Sequence, residues 1–101
     1  MKLRISERTV RFRLSLDDID SLEANGTLSQ SLELSSEVDL TYSLHLKPNQ
    51  TWTSLSAKPM KLEVVLPEIG FKDWIRSHEI EWTYSQLSPP LEILIEKDLK
   101  T

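Results

Sequence analysis

The stretch VDLTYSLHL at residues 38–46 decides the fold class. Apolar and polar residues alternate along it, as in a β-strand with one face against a core and the other in solvent. The same period of two recurs at residues 3–5, 10–14, 28–34, 60–66, 80–84 and 91–95. The alternation is weakest in the segment 51–57. The sequence therefore predicts a strand-rich protein with about eight strands.

Two short segments interrupt the alternation with helix signals. Ser15 stands three residues before Asp18, a spacing typical of a capping box, and Asn25-Gly26 ends the helix that follows. Pro67 suits the first position of a second helix. We therefore expect two short helices, one in each half of the chain.

Each half of the chain reads strand, strand, helix, strand, strand. A shift of about fifty positions lays one half over the other and matches Val10 with Met60 and Ile19 with Ile69. We predict a single domain over residues 1–101, with pseudo-repeat halves at about 1–47 and 51–101. The expected fold is α+β and strand-rich, with about eight mostly antiparallel strands in a curled sheet or partly closed barrel and two short helices.

Composition narrows the class of protein. The 101 residues include no cysteine, which removes disulfides and thiolate metal sites. A net charge of -4 argues against general affinity for nucleic acid or for anionic membranes. No apolar run approaches the roughly 18 residues that a spanning helix needs, and the charged opening residues do not resemble a secretion signal. We expect a cytoplasmic protein that contacts neither nucleic acid nor membrane.

The sequence also resembles a known family along nearly its whole length. The segments that carry the resemblance are MKLRI at 1–5, VRFRL at 10–14, LTYSL at 40–44 and LIEKD at 94–98. They are similar to a family of small uncharacterised bacterial proteins, a domain of unknown function, which open with a basic alternating hairpin and close on an Ile-Glu-Lys-Asp strand. The resemblance implies the fold and the location, and it transfers no catalytic residue.

The charges at the two ends of the chain are opposite. Residues 1–13 carry a net charge of +4 and residues 79–98 a net charge of -4. The alternation places the candidate anion-binding residues Lys2, Arg4, Arg11 and Arg13 on the polar faces of their strands, and the same holds for the candidate acidic partners Glu92 and Glu96. One interpretation is that the terminal strands are neighbours and that these charges form cross-strand pairs. The other is an anion pocket lined by the basic residues.

The sequence contains no pattern that assigns catalysis, a metal or a cofactor. The two histidines are His45, on a polar strand face, and His78, just after a helix, where solvated or capping roles are expected. No glycine-rich phosphate loop and no nucleophile elbow is present. We therefore predict no catalytic residue, no metal site and no cofactor.

Trp52 is the aromatic residue that does not follow the core phase. If Leu55 faces the core, Trp52 faces outward among serine and threonine residues. It is then either covered by a loop or part of a contact surface.

Two functions follow. The first is a non-enzymatic protein-interaction or structural module that uses a strand edge or Trp52 to contact a partner or a second copy. The alternative is an anion- or phosphate-binding barrel that uses the basic hairpin, including one with phosphohydrolase-like activity.

Overall fold

A computed structural model describes residues 1–98. Eight strands and two helices follow one another along the chain: β1 (Lys2–Ser6), β2 (Thr9–Leu14), α1 (Leu16–Asn25), β3 (Thr27–Glu33), β4 (Asp39–Lys47), β5 (Ser54–Lys58), β6 (Lys61–Pro67), α2 (Glu68–Arg76), β7 (Glu81–Leu87) and β8 (Pro90–Lys97). Neither helix of this part of the chain is long and apolar enough to cross a membrane.

The chain divides into two compact units. Unit 1 comprises Met1–Asp20 together with the chain from Trp74 onward, and unit 2 comprises Ser21–Asp73. Each unit contains one four-stranded sheet, with the order β1-β2-β8-β7 in unit 1 and β3-β4-β6-β5 in unit 2.

The sheet of unit 1 joins two antiparallel hairpins by one parallel ladder. β1 pairs with β2 and β7 with β8 in antiparallel register, while β2 and β8 run parallel. The parallel ladder places Val10 opposite Ile93 and Phe12 opposite Ile95. All four side chains are buried, so the inner strands carry much of the core of unit 1.

The last turn of helix α2 belongs to unit 1 and packs within it. The Trp74 ring lies edge-on to the Trp82 ring, with the centroids 6.1 Å apart. The Nζ atom of Lys97 donates to the carbonyl oxygens of Trp74, at 2.8 Å, and Ser77, at 2.9 Å. A lysine at this position adds a donor to carbonyl groups at the helix C-terminus and suits the dipole.

The sheet of unit 2 repeats this design. β3 pairs with β4 and β5 with β6 in antiparallel register, and β4 and β6 form the parallel ladder. Leu44 lies opposite Val64 and Leu46 opposite Leu66. Leu44, Val64 and Leu66 are fully buried, so the apolar face of unit 2 is also centred on its inner strands.

The predicted α+β class, with eight strands and two short helices, is confirmed. The strands form two four-stranded sheets, and within residues 1–98 neither sheet closes into a barrel. Alternation cannot distinguish one curled sheet from two separate sheets, because it reports which side of a strand is dry and not which strands pair. Two local expectations also shift: the fifth strand is Ser54–Lys58 rather than 51–57, and Pro67 ends β6 instead of opening α2.

The two sheets share one connectivity. Exchanging β1, β2, β3 and β4 for β5, β6, β7 and β8 converts the strand order of one sheet into that of the other. In the ladders, Ser6 and Thr9 close the first hairpin as Lys58 and Lys61 close the third. Val10 therefore corresponds to Leu62, two positions beyond the Met60 expected from a shift of fifty. A displacement of two residues keeps every side chain on its own face of the sheet. Alternation alone therefore cannot distinguish the two alignments of the halves. The internal duplication and the single domain stay predictions.

The start of α1 confirms the predicted capping box. The Asp18 amide donates to Ser15 Oγ at 3.1 Å, and the Ser15 amide donates to Asp18 Oδ2 at 2.9 Å. The Met1 amino group lies 2.8 Å from the same carboxylate oxygen. At the other end, Gly26 has a φ of 75° and its amide donates to the Leu22 carbonyl, which terminates the helix.

This cap makes the stability of the protein depend on pH. Burial works to raise the pKa of Asp18, but hydrogen bonds from the Met1 amino group and from Ser15 outweigh it and hold the pKa below its usual 3.8. Because the folded protein favours the ionised form, the stabilisation is complete above the ordinary pKa and is lost as the pH falls through the lowered one.

We therefore expect Asp18→Asn to lower the free energy of unfolding by about 1 kcal/mol at pH 7, the usual size of a capping contribution. The difference from the wild-type protein, measured in urea unfolding curves, should shrink as the pH falls below the ordinary pKa of 3.8. Asp17→Asn is the matched control, because Asp17 is an exposed acid in the same first turn. Equal losses for the two variants would contradict the assignment of the cap.

Candidate functional site: a basic cleft on the first hairpin

The register of the first hairpin brings four basic side chains to one face of its sheet. Lys2 lies opposite Arg13, and Arg4 lies opposite Arg11. Residues that face each other across an antiparallel ladder point to the same side of the sheet. The four residues predicted from the sequence as anion-binding therefore stand together, in two rows, on the polar face of β1 and β2. We call this set the basic face.

Two clefts lie along the basic face. One has a volume of about 290 Å³ and is lined by Lys2, Leu3, Arg4, Arg11 and Arg13. The second has a volume of about 200 Å³ and is lined by Arg4, Ser6, Thr9 and Arg11. Arg4 and Arg11 line both, so the two clefts adjoin along the strands.

One carboxylate holds the two arginines of β2. The parallel ladder places Glu96 opposite Arg13. Arg11 Nε contacts Glu96 Oε1, and Arg13 Nη2 lies 3.7 Å from Glu96 Oε2. The Glu96 side chain is only 13% exposed, so its charge depends on these partners for compensation. Glu96 therefore limits the orientations that the two guanidinium groups adopt.

The two basic residues of β1 are placed differently. Lys2 and Arg4 are both exposed, and no carboxylate of residues 1–98 pairs with either side chain. Their charges are available to a ligand. The basic face thus combines two arginines that pair with Glu96 and two exposed basic side chains, one lysine and one arginine, that have no acidic partner among the described residues.

The terminal strands β1 and β8 lie in the same sheet, but they are not neighbours as one interpretation expected. β2 lies between β1 and β8, so Leu3 and Ile5 face Phe12 and Val10 rather than the residues of β8. Of the two predicted acidic partners, Glu96 forms ion pairs with the basic face. Glu92 lies opposite Thr9, is exposed, and forms no ion pair with a described residue.

The basic residues line an exposed sheet face and not the interior of a barrel. The anion-pocket interpretation required an enclosed lining, and the four-stranded sheet of unit 1 provides clefts on an open face instead. Inward and outward faces give the same alternation in sequence, which is why the pattern alone could not distinguish them.

The sequence pattern did not predict a second polar cluster, which lies on the sheet of unit 2. His45 is held by two hydroxyl groups, with Thr27 Oγ1 2.9 Å from Nδ1 and Ser43 Oγ 3.0 Å from Nε2. Glu63 Oε2 lies 3.9 Å from Nε2, and Lys61 Nζ lies 2.9 Å from the other Glu63 oxygen. The hydrogen bond from Lys61 lowers the pKa of Glu63. The shared polar phase of His45 and Glu63 was the available signal, but their pairing depends on the ladder between β4 and β6.

Trp52 lies in the loop before β5 rather than within a strand. Its side chain is 62% exposed, in agreement with the outward orientation expected from the sequence. The loop is fixed by Gln50, which is buried and donates from Nε2 to the Trp52 carbonyl oxygen at 2.7 Å. The backbone of the loop is therefore held while the indole ring remains accessible.

Comparison with known proteins identifies the family. Residues 1–101 match the model of the Family of unknown function (DUF7009), and the chain belongs to that family. The resemblance to a domain of unknown function noted from the sequence is thus confirmed. No curated protein and no solved structure matches the chain.

The contact between Arg11 and Glu96 can be measured as a coupling energy. We expect a double-mutant cycle of Arg11→Gln and Glu96→Gln to give a coupling of about 1 kcal/mol, at the upper end for partly exposed pairs. The coupling should weaken at high salt, because screening acts on the exposed side of the pair. Urea unfolding of the four proteins supplies the measurement.

The matched control is the cycle of Arg11→Gln with Glu92→Gln. Glu92 lies on the same face of β8 and lacks the contact, so its coupling to Arg11 should be near zero. Equal couplings in the two cycles would show that only the general field of the face is measured.

Proposed function

We propose that this protein is a non-enzymatic binding module whose basic face holds an anionic ligand bearing phosphate or carboxylate groups. The observation that carries the proposal is that exposed basic side chains of β1 lie beside two arginines of β2 that pair with Glu96. Lys2 and Arg4 have no acidic partner among the described residues and line one cleft with Arg11 and Arg13. Arg4 and Arg11 also line the adjoining cleft.

The local charge supports an anion at this position. Four basic side chains meet one compensating carboxylate, Glu96, while the whole chain has a net charge of -4. Concentrating positive charge on one face of an acidic protein opposes the general repulsion that an anion would meet elsewhere on its surface.

The groups that line the clefts suit binding. Guanidinium groups donate paired hydrogen bonds to phosphate or carboxylate oxygens, and the hydroxyl groups of Ser6 and Thr9 can donate to the same ligand. Glu96, the acidic side chain nearest the arginines, is engaged with both of them. Recognition of an anion is therefore better supported than the phosphohydrolase-like activity considered from the sequence.

The proposal places the module in the cytoplasm, in keeping with a chain that contains no cysteine.

Titration with inorganic pyrophosphate, followed by thermal unfolding and by calorimetry, tests this proposal. A ligand that binds only the folded protein stabilises it by about 2.7 kcal/mol at a hundredfold excess over Kd. We expect Arg4→Gln to weaken binding by about tenfold, because a hydrogen bond to a charged group contributes about 1.5–3 kcal/mol.

The control is Lys58→Gln, which removes one exposed basic side chain from the first strand of the corresponding hairpin in unit 2. It should leave pyrophosphate affinity unchanged. The proposal is wrong if pyrophosphate does not stabilise the wild-type protein, or if both variants lose affinity equally.

A second candidate function is contact with a protein partner, including a second copy, through Trp52. Large aromatic side chains are enriched at interface hot spots, and this one is 62% exposed on a loop that Gln50 holds in place. The proposal does not require the basic face.

We expect light scattering at micromolar concentration to detect association that Trp52→Ala weakens by at least about tenfold, the usual consequence of losing a hot-spot residue. Leu87→Ala is the control, because Leu87 is 89% exposed and lies on a different unit. A wild-type protein that remains monomeric would contradict the version with a second copy.

A further inference from the structure

We propose that the partner of the basic face is an extended peptide in which acidic and apolar residues alternate, and that it binds as an added strand along the free edge of β1. The inference rests on the proposed function and names the class of ligand. It adds a requirement that a small anion does not have, namely pairing with the backbone of β1.

The edge of β1 is open. β1 is the outer strand of its sheet and pairs only with β2. Hydrogen-bonded and non-bonded positions alternate in an antiparallel ladder, so every second residue of β1 directs its N–H and C=O groups away from β2. Within residues 1–98, no backbone bond outside the ladder occupies residues 2–6. An incoming strand would find those groups unpaired.

The spacing of the charges matches a strand. Lys2 and Arg4 are two residues apart on one face of β1, about 6.8 Å along the strand axis. An extended peptide presents alternate side chains at the same interval. Acidic side chains at positions i and i+2 of the peptide would therefore face the two rows of the basic face, one carboxylate for each row.

The opposite face of β1 fits apolar side chains. Ile5 is 63% exposed and Leu3 is half-buried, although both belong to the apolar phase of the strand. Apolar residues of the peptide, which alternate with its acidic residues, would lie beside them and remove this surface from water. A peptide strand beside β1 would therefore need acidic side chains on one of its faces and apolar side chains on the other.

The basic side chains of β1 also disfavour pairing with a strand from a second copy of the chain. Basic side chains on an edge strand discourage pairing with a second copy of itself, since like charges would lie opposite each other. The other edge of the unit 1 sheet, β7, offers a single acidic side chain, Glu81, with Thr83 and Ser85 on the same face. Through β7, a second copy would therefore supply only one carboxylate where the basic face has two rows, and a separate acidic peptide fits this edge better.

The test compares four fluorescein-labelled peptides by anisotropy with the whole 101-residue chain. The first is an octapeptide that alternates glutamate and valine. The second has the same composition with four glutamates followed by four valines. The third and fourth have the alternating sequence, with N-methyl groups along one edge of the backbone or along the other. In one of these two peptides, the edge that faces β1 therefore cannot donate hydrogen bonds.

We expect the alternating peptide to bind at least about tenfold more tightly than the block peptide and than one of the two N-methylated versions. Arg4→Gln should weaken binding of the alternating peptide by about tenfold, while Lys58→Gln should leave it unchanged. On binding, amide exchange should slow at alternate residues of β1.

Several results would overturn the inference. Equal affinity for the alternating, block and N-methylated peptides would show that charge alone is recognised. Binding of pyrophosphate without binding of the alternating peptide would refute the strand and leave the proposed function standing. If neither binds, both fail. A peptide-free dimer that Arg4→Gln disrupts would replace the peptide with a second copy of the chain.

Discussion

The parallel ladder between the two inner strands is the interaction on which each unit depends. In unit 1 it joins β2 to β8, and the residues that it brings together, including Phe12 and Ile95, have almost no exposed surface. A two-stranded hairpin by itself is marginally stable. Neither hairpin could bury its apolar face without the other, and they are separated by most of the chain.

The same ladder determines the chemistry of the polar face. It sets Glu96 opposite Arg13 and in contact with Arg11, so the charges of β2 are neutralised in part while those of β1 are not. The core and the candidate site are thus two faces of one strand pairing. In unit 1 the inner strands carry both the buried apolar residues and the ion pairs, and the outer strand β1 retains exposed side chains and unpaired backbone groups.

Local chemistry predicted much of this structure. The cap formed by Ser15 and Asp18 follows from two residues three positions apart, and the common face of Lys2 and Arg4 follows from a period of two. The division into two sheets could not be predicted, because alternation contains no information about which strands pair at long range. For the same reason, Glu92 and Glu96 were equivalent in sequence, and only the register of the parallel ladder separates the glutamate that contacts the arginines from the one that does not.

The matching connectivity of the two sheets reveals an inversion of charge. Arg11 on β2 contacts Glu96 on β8, and the corresponding ladder positions on β6 and β4 carry Glu63 and His45, 3.9 Å apart. The acid of unit 2 stands on the strand that carries the arginine in unit 1, and the histidine stands at the position of Glu96. Arginine presents a planar guanidinium group to its carboxylate, whereas the imidazole of His45 is also hydrogen-bonded to the hydroxyl groups of Thr27 and Ser43. Two pairs at the same ladder positions therefore differ in what holds them: two arginines hold Glu96, whereas two hydroxyl groups hold His45 and Lys61 holds Glu63.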